Sequence, residues 1–482
     1  MGFRSILTII GALVAALGLT MLLPAIADAV VGHEDWRVFV GASLVTTLCG
    51  AGLWASSAGK IETLTLRQAF LLTALIWVVL TLFGSLPLYW SDLDLSFTDA
   101  LFEAMSGITT TGATVITTLD SAPPGILLWR GLLQWFGGLG IVVMAIAVLP
   151  MLQVGGMQMF KAEAFETPDK ILPRAAQIAG GMTLIYCILT VVCAAAYWFF
   201  GMGLFDAIVH AMTTVATGGF STRNGSIESY QSIAIDYTSV TFMILGALPF
   251  ALYLGAMQYG HWKRLFADSQ VRTFFYLLLA VTLGMMIVQV RGNIYQGEEA
   301  FRHALFSVTS VMTGTGYATV DYGAWGPWAT SVFFVLTFVG GCTGSTSCGI
   351  KIFRFQVLAR DLYQHVRQIF TPSLVYVKRY NGQPLPESVS ISVQSFVFLY
   401  IVSFFVLALA LTATGMDPVT ALSGAATAIS NVGPGLGDII GPAGSFAPLS
   451  DVAKWLLTAG MLVGRLEILI ILVLFTPRFW RG

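Results

Sequence analysis

The sequence predicts an all-α polytopic membrane protein, in which four helix–pore-loop–helix repeats surround a pseudo-fourfold pore and two further transmembrane helices precede them. Three observations support this fold class. The 482 residues are 56% hydrophobic and only 10% charged, which is too little polar surface to cover a soluble globule of this length. Apolar segments of membrane-spanning length recur along the chain. Four shorter segments, each ending in small polar residues and glycine, resemble one another.

Ten apolar segments are long enough to cross a bilayer. They are predicted at 5–28, 38–57, 68–90, 127–150, 178–200, 237–258, 273–291, 328–349, 390–412 and 452–475. The first imitates a secretory signal peptide, but its apolar run of about twenty residues exceeds a usual signal core, so we expect a retained transmembrane helix. Four shorter apolar segments are predicted to be re-entrant half-helices, near 98–111, 205–218, 301–315 and 418–432.

Basic residues predict the orientation in the membrane. Alternate connections, counted from the N-terminus, hold 17 of the 24 Lys and Arg residues: Arg4, Lys60, Arg67, Lys161, Lys170, Arg174, Lys263, Arg264, Arg272, Lys351, Arg354, Arg360, Arg367, Lys378, Arg379, Arg478 and Arg481. Basic residues are retained on the cytoplasmic side of membranes. The distribution therefore predicts a multi-pass protein with both termini in the cytoplasm and all four half-helices on the opposite side.

The four short segments form an internal repeat. Aligned without gaps, they read DALFEAMSGITTTG, DAIVHAMTTVATGG, HALFSVTSVMTGTG and TALSGAATAISNVG, and they end at Gly112, Gly219, Gly316 and Gly433. Small residues also recur where membrane helices pack, but four copies in register on one side argue against that explanation. The predicted division is an N-terminal helix pair (1–66) and four pore repeats (67–160, 161–262, 263–385 and 386–482), the third with a gating loop.

The glycine at the end of each segment suits a cation pore. A cation crossing hydrocarbon must exchange its water shell for other oxygens, and a ring of backbone carbonyls supplies them without fixed charge. Glycine adopts backbone angles that let consecutive carbonyls turn toward one axis. Threonine hydroxyls just before the glycines, from Thr109 onward, add further oxygens. The predicted filter residues are Thr110, Thr111, Gly112, Thr217, Gly218, Gly219, Thr315, Gly316, Asn431, Val432 and Gly433.

The loops TTTGAT, TGGFST, TGTGYAT and NVGPGLG resemble those of the Trk/Ktr/HKT potassium transporter superfamily. The two extra N-terminal helices and the length resemble its TrkH-type membrane subunits, and NVGPGLG at 431–437 is the most specific stretch. The resemblance implies that potassium permeates and that no cofactor is covalently bound. It also implies a homodimer in the bacterial inner membrane, docked on a cytoplasmic nucleotide-binding regulatory ring of the TrkA type. Each loop keeps about one glycine of the TVGYG pattern of tetrameric channels, so the preference for potassium over sodium stays open.

A glycine-rich run in the predicted span 328–349 is a candidate gate. Its residues are Gly340, Gly341, Cys342, Thr343, Gly344, Ser345, Thr346, Ser347, Cys348 and Gly349. Each glycine costs up to about 1 kcal/mol in a helix, so we expect broken backbone here, although a close contact between helices is an alternative. The resemblance implies an intramembrane loop that blocks the path below the filter. A phosphate-binding loop is not indicated, because Lys351 comes one place late and no Ser or Thr follows it.

Arg465 lies well inside the last apolar segment. An arginine at that depth is costly and usually faces a cavity or a partner. We expect it below the filter, where its donors would bond to backbone carbonyls of the broken helix and hold the loop across the pore. Snorkelling to the membrane interface is the alternative.

Other polar residues carry weaker expectations. Asp120, Asp321 and Asp438 follow three of the loops and would concentrate cations at the mouth, with Arg223 opposing them. Capping or packing is expected for the polar residues on or beside the half-helices, which are Glu103, Asp206, His210 and His303. Cys342 and Cys348 are expected to pack, with a redox role as the alternative.

Functions other than a gated pore have less support in the sequence. No catalytic cluster or nucleic-acid footprint is evident, so neither an integral-membrane enzyme nor a nucleic-acid partner is predicted. A sodium- or proton-coupled cation symporter is the alternative to a gated pore, since repeat folds build such carriers too. One connection offers a positive surface for an acidic or nucleotide-binding regulator through Lys351, Arg354, Arg360, Arg367, Lys378 and Arg379.

Overall fold

The computed structural model describes residues 3–57, 59, 64–147, 171–373, 377–466 and 468–481, of which 145–147 and 171–176 are described by their backbone alone. The predicted all-α membrane fold is confirmed. The one pair of strands in this part of the chain, Arg379–Tyr380 and Gln383–Pro384, forms a two-stranded antiparallel hairpin. Three residues of the orientation argument, Lys60, Lys161 and Lys170, and the predicted boundary between repeats 1 and 2 lie outside the described residues.

Within the described residues, seven helices are long and apolar enough to cross a membrane. They are Arg4–Val31, Trp36–Ser57, Leu66–Trp90, Pro124–Met144, Gln177–Phe199, Ser269–Arg291 and Glu387–Ala413. The first consists of Arg4–Thr20 and Leu22–Val31, and the third of Leu66–Gly84 and Leu86–Trp90. The fourth continues to Ala147, and the fifth begins at Ile171. Each coincides with a predicted span.

The other three predicted spans are interrupted; the sequence indicated a break in 328–349 but not in the other two. Ile233–Ala247 and Phe250–Tyr259 meet at 87°. The cause is Pro249, which lacks an N–H donor and forces the residue before it into extended backbone. The last span divides into Asp451–Arg465 and Ile468–Leu474. In the predicted segment 328–349, the helix Pro327–Leu336 ends well before the glycine-rich run.

The four predicted half-helices are present and are named pore helices 1 to 4: Phe97–Ile108, Leu204–Val215, Gly297–Thr313 and Pro418–Ser430. Their N-termini are capped where the sequence offers a short polar residue. The Ser96 hydroxyl accepts from the Asp99 N–H at 3.1 Å, and the Asp417 carboxylate accepts from the Thr420 N–H at 2.9 Å. Their C-terminal halves are buried, so all four point their last carbonyls into the centre of the protein.

Shorter helices complete the chain: Trp262–Ala267, Ile352–Phe370 and Pro477–Arg481, with 3-10 turns at Leu119–Ser121, Ser226–Tyr230 and Tyr322–Trp325. The predicted boundary 262/263 falls inside the first of them. Two apolar cores meet at the centre. One joins the N-terminal helices with pore helices 1 and 4, and the other joins pore helices 2 and 3. The loops that end the pore helices therefore lie between these two cores.

Candidate functional site: a ring of four pore loops above an intramembrane loop

Each pore helix ends in the same unusual backbone. The residue two before each aligned glycine and the glycine itself have positive φ: Thr110 and Gly112 (54° and 86°), Thr217 and Gly219 (50° and 79°), Gly314 and Gly316 (75° and 82°), and Asn431 and Gly433 (51° and 103°). These four three-residue segments are named pore loops 1 to 4. Alternating left-handed residues turn successive carbonyls toward one side of the chain, whereas an extended strand would alternate them.

Two of these left-handed positions hold threonine. A β-branched residue at positive φ is a true outlier, because its Cβ crowds the backbone. Thr110 and Thr217 are completely buried, and the packing around them holds them in this left-handed conformation. Backbone strain of this kind, costing on the order of 1–3 kcal/mol, is concentrated at functional sites.

The four loops close into a ring. A Cβ built on Gly112 would collide with the carbonyl oxygen of Gly218, and one on Gly219 with that of Thr315. A Cβ on Gly316 would collide with the carbonyl of Val432, and one on Gly433 with that of Thr111, all four closer than 3.0 Å. Every glycine thus lies against the carbonyl that precedes the glycine of the next loop. This cyclic contact gives the loops a common axis and leaves no room for a side chain.

The threonine hydroxyls divide into two groups. The hydroxyls of Thr109 and Thr111 bond to each other at 2.7 Å, and those of Thr313 and Thr315 repeat this pair at 2.7 Å. The Asn431 amide links loop 4 to loop 1 by donating to the Thr111 hydroxyl at 2.9 Å. These groups brace the ring from within the protein. Thr110 and Thr217 instead contact the segment below.

The segment below the ring is the glycine-rich run 340–349, here named the gate loop. It leaves the helical path after Leu336, and the next helix begins at Ile352. Its residues from Cys342 to Cys348 are buried, except Gly344, which is partly exposed. The N–H of Cys342 donates to the Ala247 carbonyl at 3.0 Å, and that of Phe250 to the Gly344 carbonyl at 2.9 Å. The gate loop therefore packs into the bend at Pro249.

The gate loop touches three of the four pore loops. The Cys348 thiol lies 3.6 Å from the Thr110 hydroxyl, and a Cβ on Gly314 would lie 3.1 Å from the Cys348 Cβ. The Thr217 hydroxyl donates to that of Thr346 at 3.3 Å. Thr346 in turn donates to the Val215 carbonyl at 3.0 Å, at the end of pore helix 2. The loop therefore lies directly across the axis below the ring.

Arg465 is buried, with 4% of its surface exposed, so the snorkelling alternative is excluded. Its guanidinium donates to the Cys348 thiol at 2.7 Å and to the Gly137 carbonyl at 3.4 Å. It also lines a small cavity of about 50 Å³ together with Ser347, Cys348 and Asn431. A positive charge therefore stands beside the gate loop at the level where the loop meets the ring.

The expected bonds from Arg465 to gate-loop carbonyls were wrong. Those carbonyls already have donors: the Ser345 hydroxyl bonds to the Cys342 carbonyl at 2.6 Å, and the Ile352 N–H to the Gly341 carbonyl at 3.1 Å. The Lys351 ammonium donates to the Ser347 carbonyl. Because these carbonyls are already paired with donors from the loop and from the residues just after it, the arginine contacts a side chain of the loop instead.

A buried ion pair behind the ring is a feature that the sequence did not reveal. Glu103 and Arg130 are 0% and 1% exposed, and the Arg130 Nε lies 2.7 Å from the Glu103 carboxylate. Glu103 also accepts from the Val115 N–H at 2.9 Å, and Arg130 donates to the Ser221 carbonyl at 2.8 Å. Glu103 is thus neither a cap nor simple packing. The pair ties the chain after pore loop 1 to the chain after pore loop 2.

The signal for this pair was a charge inside an apolar run. Arg130 lies within the predicted span 127–150, and Glu103 within a predicted half-helix, yet nothing in the sequence pairs them. Gln134, one turn after Arg130 on the helix Pro124–Ala147, was missed in the same way. Its side chain is fully buried against pore loop 2.

The remaining candidates do not contact the ring: the three aspartates lie at the surface, and the two histidines are buried. Asp120, Asp321 and Asp438 are exposed. Arg223, expected to oppose them, pairs with Asp206 at 3.1 Å. His210 bonds to the Ser221 hydroxyl at 3.0 Å, and His303 lies 3.3 Å from the Thr319 hydroxyl. Among the described residues, no group of three or more His, Cys, Asp or Glu side chains is arranged to hold a metal ion.

The fold and the ring of loops define a multi-pass membrane protein with four helix–loop–helix repeats around one axis. Residues 36–481 match the model of the TrkH family, described as cation transport proteins, and the chain belongs to this family. The family consists of transporters and not of enzymes.

Known proteins resemble the whole chain. The Trk system potassium uptake protein TrkI of Halomonas elongata is 46% identical over 99% of this chain and 96% of that protein. The Trk system potassium uptake protein TrkH of Vibrio parahaemolyticus is 39% identical over the full length of both. The crystal structure of the potassium transporter TrkH from Vibrio parahaemolyticus covers 100% of both chains, with a TM-score of 0.92 and 38% identity.

Proposed function

We propose that this protein conducts potassium across the bacterial inner membrane through a gated pore, as the membrane subunit of a potassium-uptake system. The observation that carries the proposal is the ring in which each glycine abuts a carbonyl of the next loop. The names of the full-length relatives, potassium uptake proteins, support potassium as the ion.

The ring is proposed to be the selectivity filter. Its carbonyls replace the hydration shell of the ion, and the shape of the ring is fixed by backbone contacts. The proposed potassium-binding residues are Thr110, Thr111, Gly112, Thr217, Gly218, Gly219, Thr315, Gly316, Asn431, Val432 and Gly433. Potassium is the substrate of this site.

The gate loop and Arg465 are proposed to close the pore below the filter. A guanidinium beside a narrow cation path repels potassium; two unit charges about 4 Å apart at an effective dielectric near 20 repel by about 4 kcal/mol. Since the guanidinium contacts Cys348 of the loop, displacing the loop breaks this contact. Opening the pore would then displace the loop and free the guanidinium to move away from the path.

Isotope flux tests the proposal. Liposomes that contain the purified protein are loaded with potassium. Uptake of labelled potassium, rubidium and sodium is then measured with and without a proton gradient. Potassium and rubidium uptake well above sodium uptake, independent of the proton gradient, is expected. Saturating uptake that requires a second ion would instead identify the coupled symporter, and no potassium uptake would contradict the proposal.

Orientation and partners are part of the same proposal. With both termini in the cytoplasm, the helix Ile352–Phe370 and the strand hairpin face a regulatory partner. Arg367 and Arg379 are exposed there, whereas Arg354 is buried and Lys378 pairs with Asp361 at 2.7 Å. The positive surface is therefore smaller than the sequence suggests. We propose a homodimer docked on a ring of nucleotide-binding domains; failure of the two to co-purify after co-expression would contradict this assembly.

A further inference from the structure

The four carbonyls of the ring are not equivalent. The carbonyl of Gly218 accepts a hydrogen bond from the Gln134 amide at 2.5 Å. The corresponding carbonyls of Thr111, Thr315 and Val432 accept none from the residues that the structure describes. Three oxygens of one layer thus keep both lone pairs, and the fourth shares one with the protein.

Gln134 is built into this position. Its amide oxygen accepts from the Phe220 N–H at 3.0 Å, so one side chain holds the residues on both sides of Gly219. A Cβ on Gly218 would collide with the Gln134 carboxamide, so glycine at 218 allows the close approach. The side chain is 0% exposed and cannot exchange these bonds for water.

Gln134 is also held in place by its own helix. Arg130, one turn before it, is fixed by Glu103 and donates to the Ser221 carbonyl. Gly137, one turn after it, lies against the Ile108 carbonyl at the end of pore helix 1. This face of the helix Pro124–Ala147 therefore fills the space between pore loops 1 and 2, and the position of Gln134 relative to both is determined.

We propose that Gln134 is a positioning residue that sets the ion preference of the pore through the Gly218 carbonyl; this inference rests on the proposed potassium conduction. A carbonyl that already accepts a hydrogen bond presents a weaker field to a passing cation and cannot move inward to follow a smaller one. Sodium, which loses more hydration energy than potassium, needs a stronger field or a tighter ring. The hydrogen bond therefore disfavours sodium.

Two substitutions test the role. Gln134→Met keeps the length of the side chain and removes both hydrogen bonds. The potassium-to-sodium uptake ratio in liposomes should fall about fivefold, the equivalent of one net hydrogen bond of about 1 kcal/mol. Gln134→Glu can donate to the Gly218 carbonyl only when protonated, so its ratio should fall as pH rises while that of the unaltered protein stays flat.

Trp135→Phe is the matched control. It removes the bond from the indole to the Thr190 hydroxyl at 3.1 Å on the neighbouring position of the same helix, away from the pore loops. Its ion ratio should be unchanged. A folded Gln134→Met protein with the original ratio would overturn the inference. If that variant does not fold, a pH-independent ratio in Gln134→Glu would overturn it. Absence of potassium uptake by the unaltered protein would instead contradict the proposed function.

Discussion

The ring of pore loops and the gate loop are both irregular backbone inside the membrane, but they are held in different ways. The ring is closed by backbone against backbone, with glycine Cα atoms packed on carbonyls, and is braced by a buried ion pair. The gate loop is joined to the bend at Pro249 by a few backbone hydrogen bonds, and to pore helix 2, pore loop 2 and Arg465 by single bonds of hydroxyl, thiol and guanidinium groups. Each such bond contributes about 1 kcal/mol, so a few substitutions can release the gate loop and leave the ring intact.

The largest effect is expected where the brace of the ring is broken. Arg130→Met leaves the Glu103 carboxylate buried without its partner, which costs about 3–5 kcal/mol. The thermal unfolding midpoint of the detergent-solubilised protein should fall sharply. The double variant Glu103→Met with Arg130→Met removes the uncompensated charge and should recover much of the loss. A double variant as unstable as the single one would show that the contacts to Val115 and Ser221 matter more than the charges.

Adding one methyl group to the ring comes next. In Gly219→Ala the new Cβ overlaps the Thr315 carbonyl, and alanine is strained at φ 79°. Overpacking and left-handed strain together cost about 3 kcal/mol, so potassium uptake should fall at least about a hundredfold. Gly344→Ala is the matched control, because this gate-loop glycine has φ 77° and open space around its Cβ. Equal losses of potassium uptake in both variants would mean that backbone strain, and not disruption of the ring, lowers uptake.

On the gate side, removing a charge should raise flux. Arg465→Ala removes the positive charge beside the pore and the bond to Cys348. The gate loop still covers the path, so only part of the repulsion of about 4 kcal/mol is recovered, and potassium uptake should rise about tenfold, or 1.4 kcal/mol. Deleting Gly344–Cys348 should raise it as well. If the two changes act on one gate, the double variant adds nothing further. Unchanged or lower uptake in a folded Arg465→Ala protein would make the arginine structural.

The smallest expected effect comes from one hydroxyl. Thr346→Val removes bonds to the carbonyls of Val215 and Gly246 and the contact with Thr217, so uptake should rise about fivefold as roughly 1 kcal/mol of loop anchoring is lost. Thr343→Val is the control within the same loop, since the Thr343 hydroxyl is buried without a hydrogen-bond partner. Its uptake should not change. An equal rise in both variants would show that loop packing, not these bonds, controls opening.

The type of residue at each position determined which features of the site could be predicted from the sequence. The four aligned glycines and the gate loop were predictable because glycine directly reports a backbone requirement. The left-handed backbone of Thr110 and Thr217 was not predictable, because threonine disfavours that conformation and only tertiary packing enforces it. Arg130 and Gln134 were missed because Ser221 and Gly218, which they contact in or just after pore loop 2, lie more than 80 residues away, and because Glu103, the ion-pair partner of Arg130, lies on a different helix. The bend at Pro249 was indicated locally by the proline itself, but this proline lies within a continuous apolar run that was predicted as one span.

One chain contributes four pore loops with different sequences, Thr-Thr-Gly, Thr-Gly-Gly, Gly-Thr-Gly and Asn-Val-Gly. In a homotetrameric channel a single codon change alters every quarter of the pore at once. Here each pore loop is encoded separately. One, two or three of the four loops can therefore be altered, and the ion preference of the filter can be changed in steps. The same independence lets a single residue change alter one quarter of the pore while the other three keep their sequences.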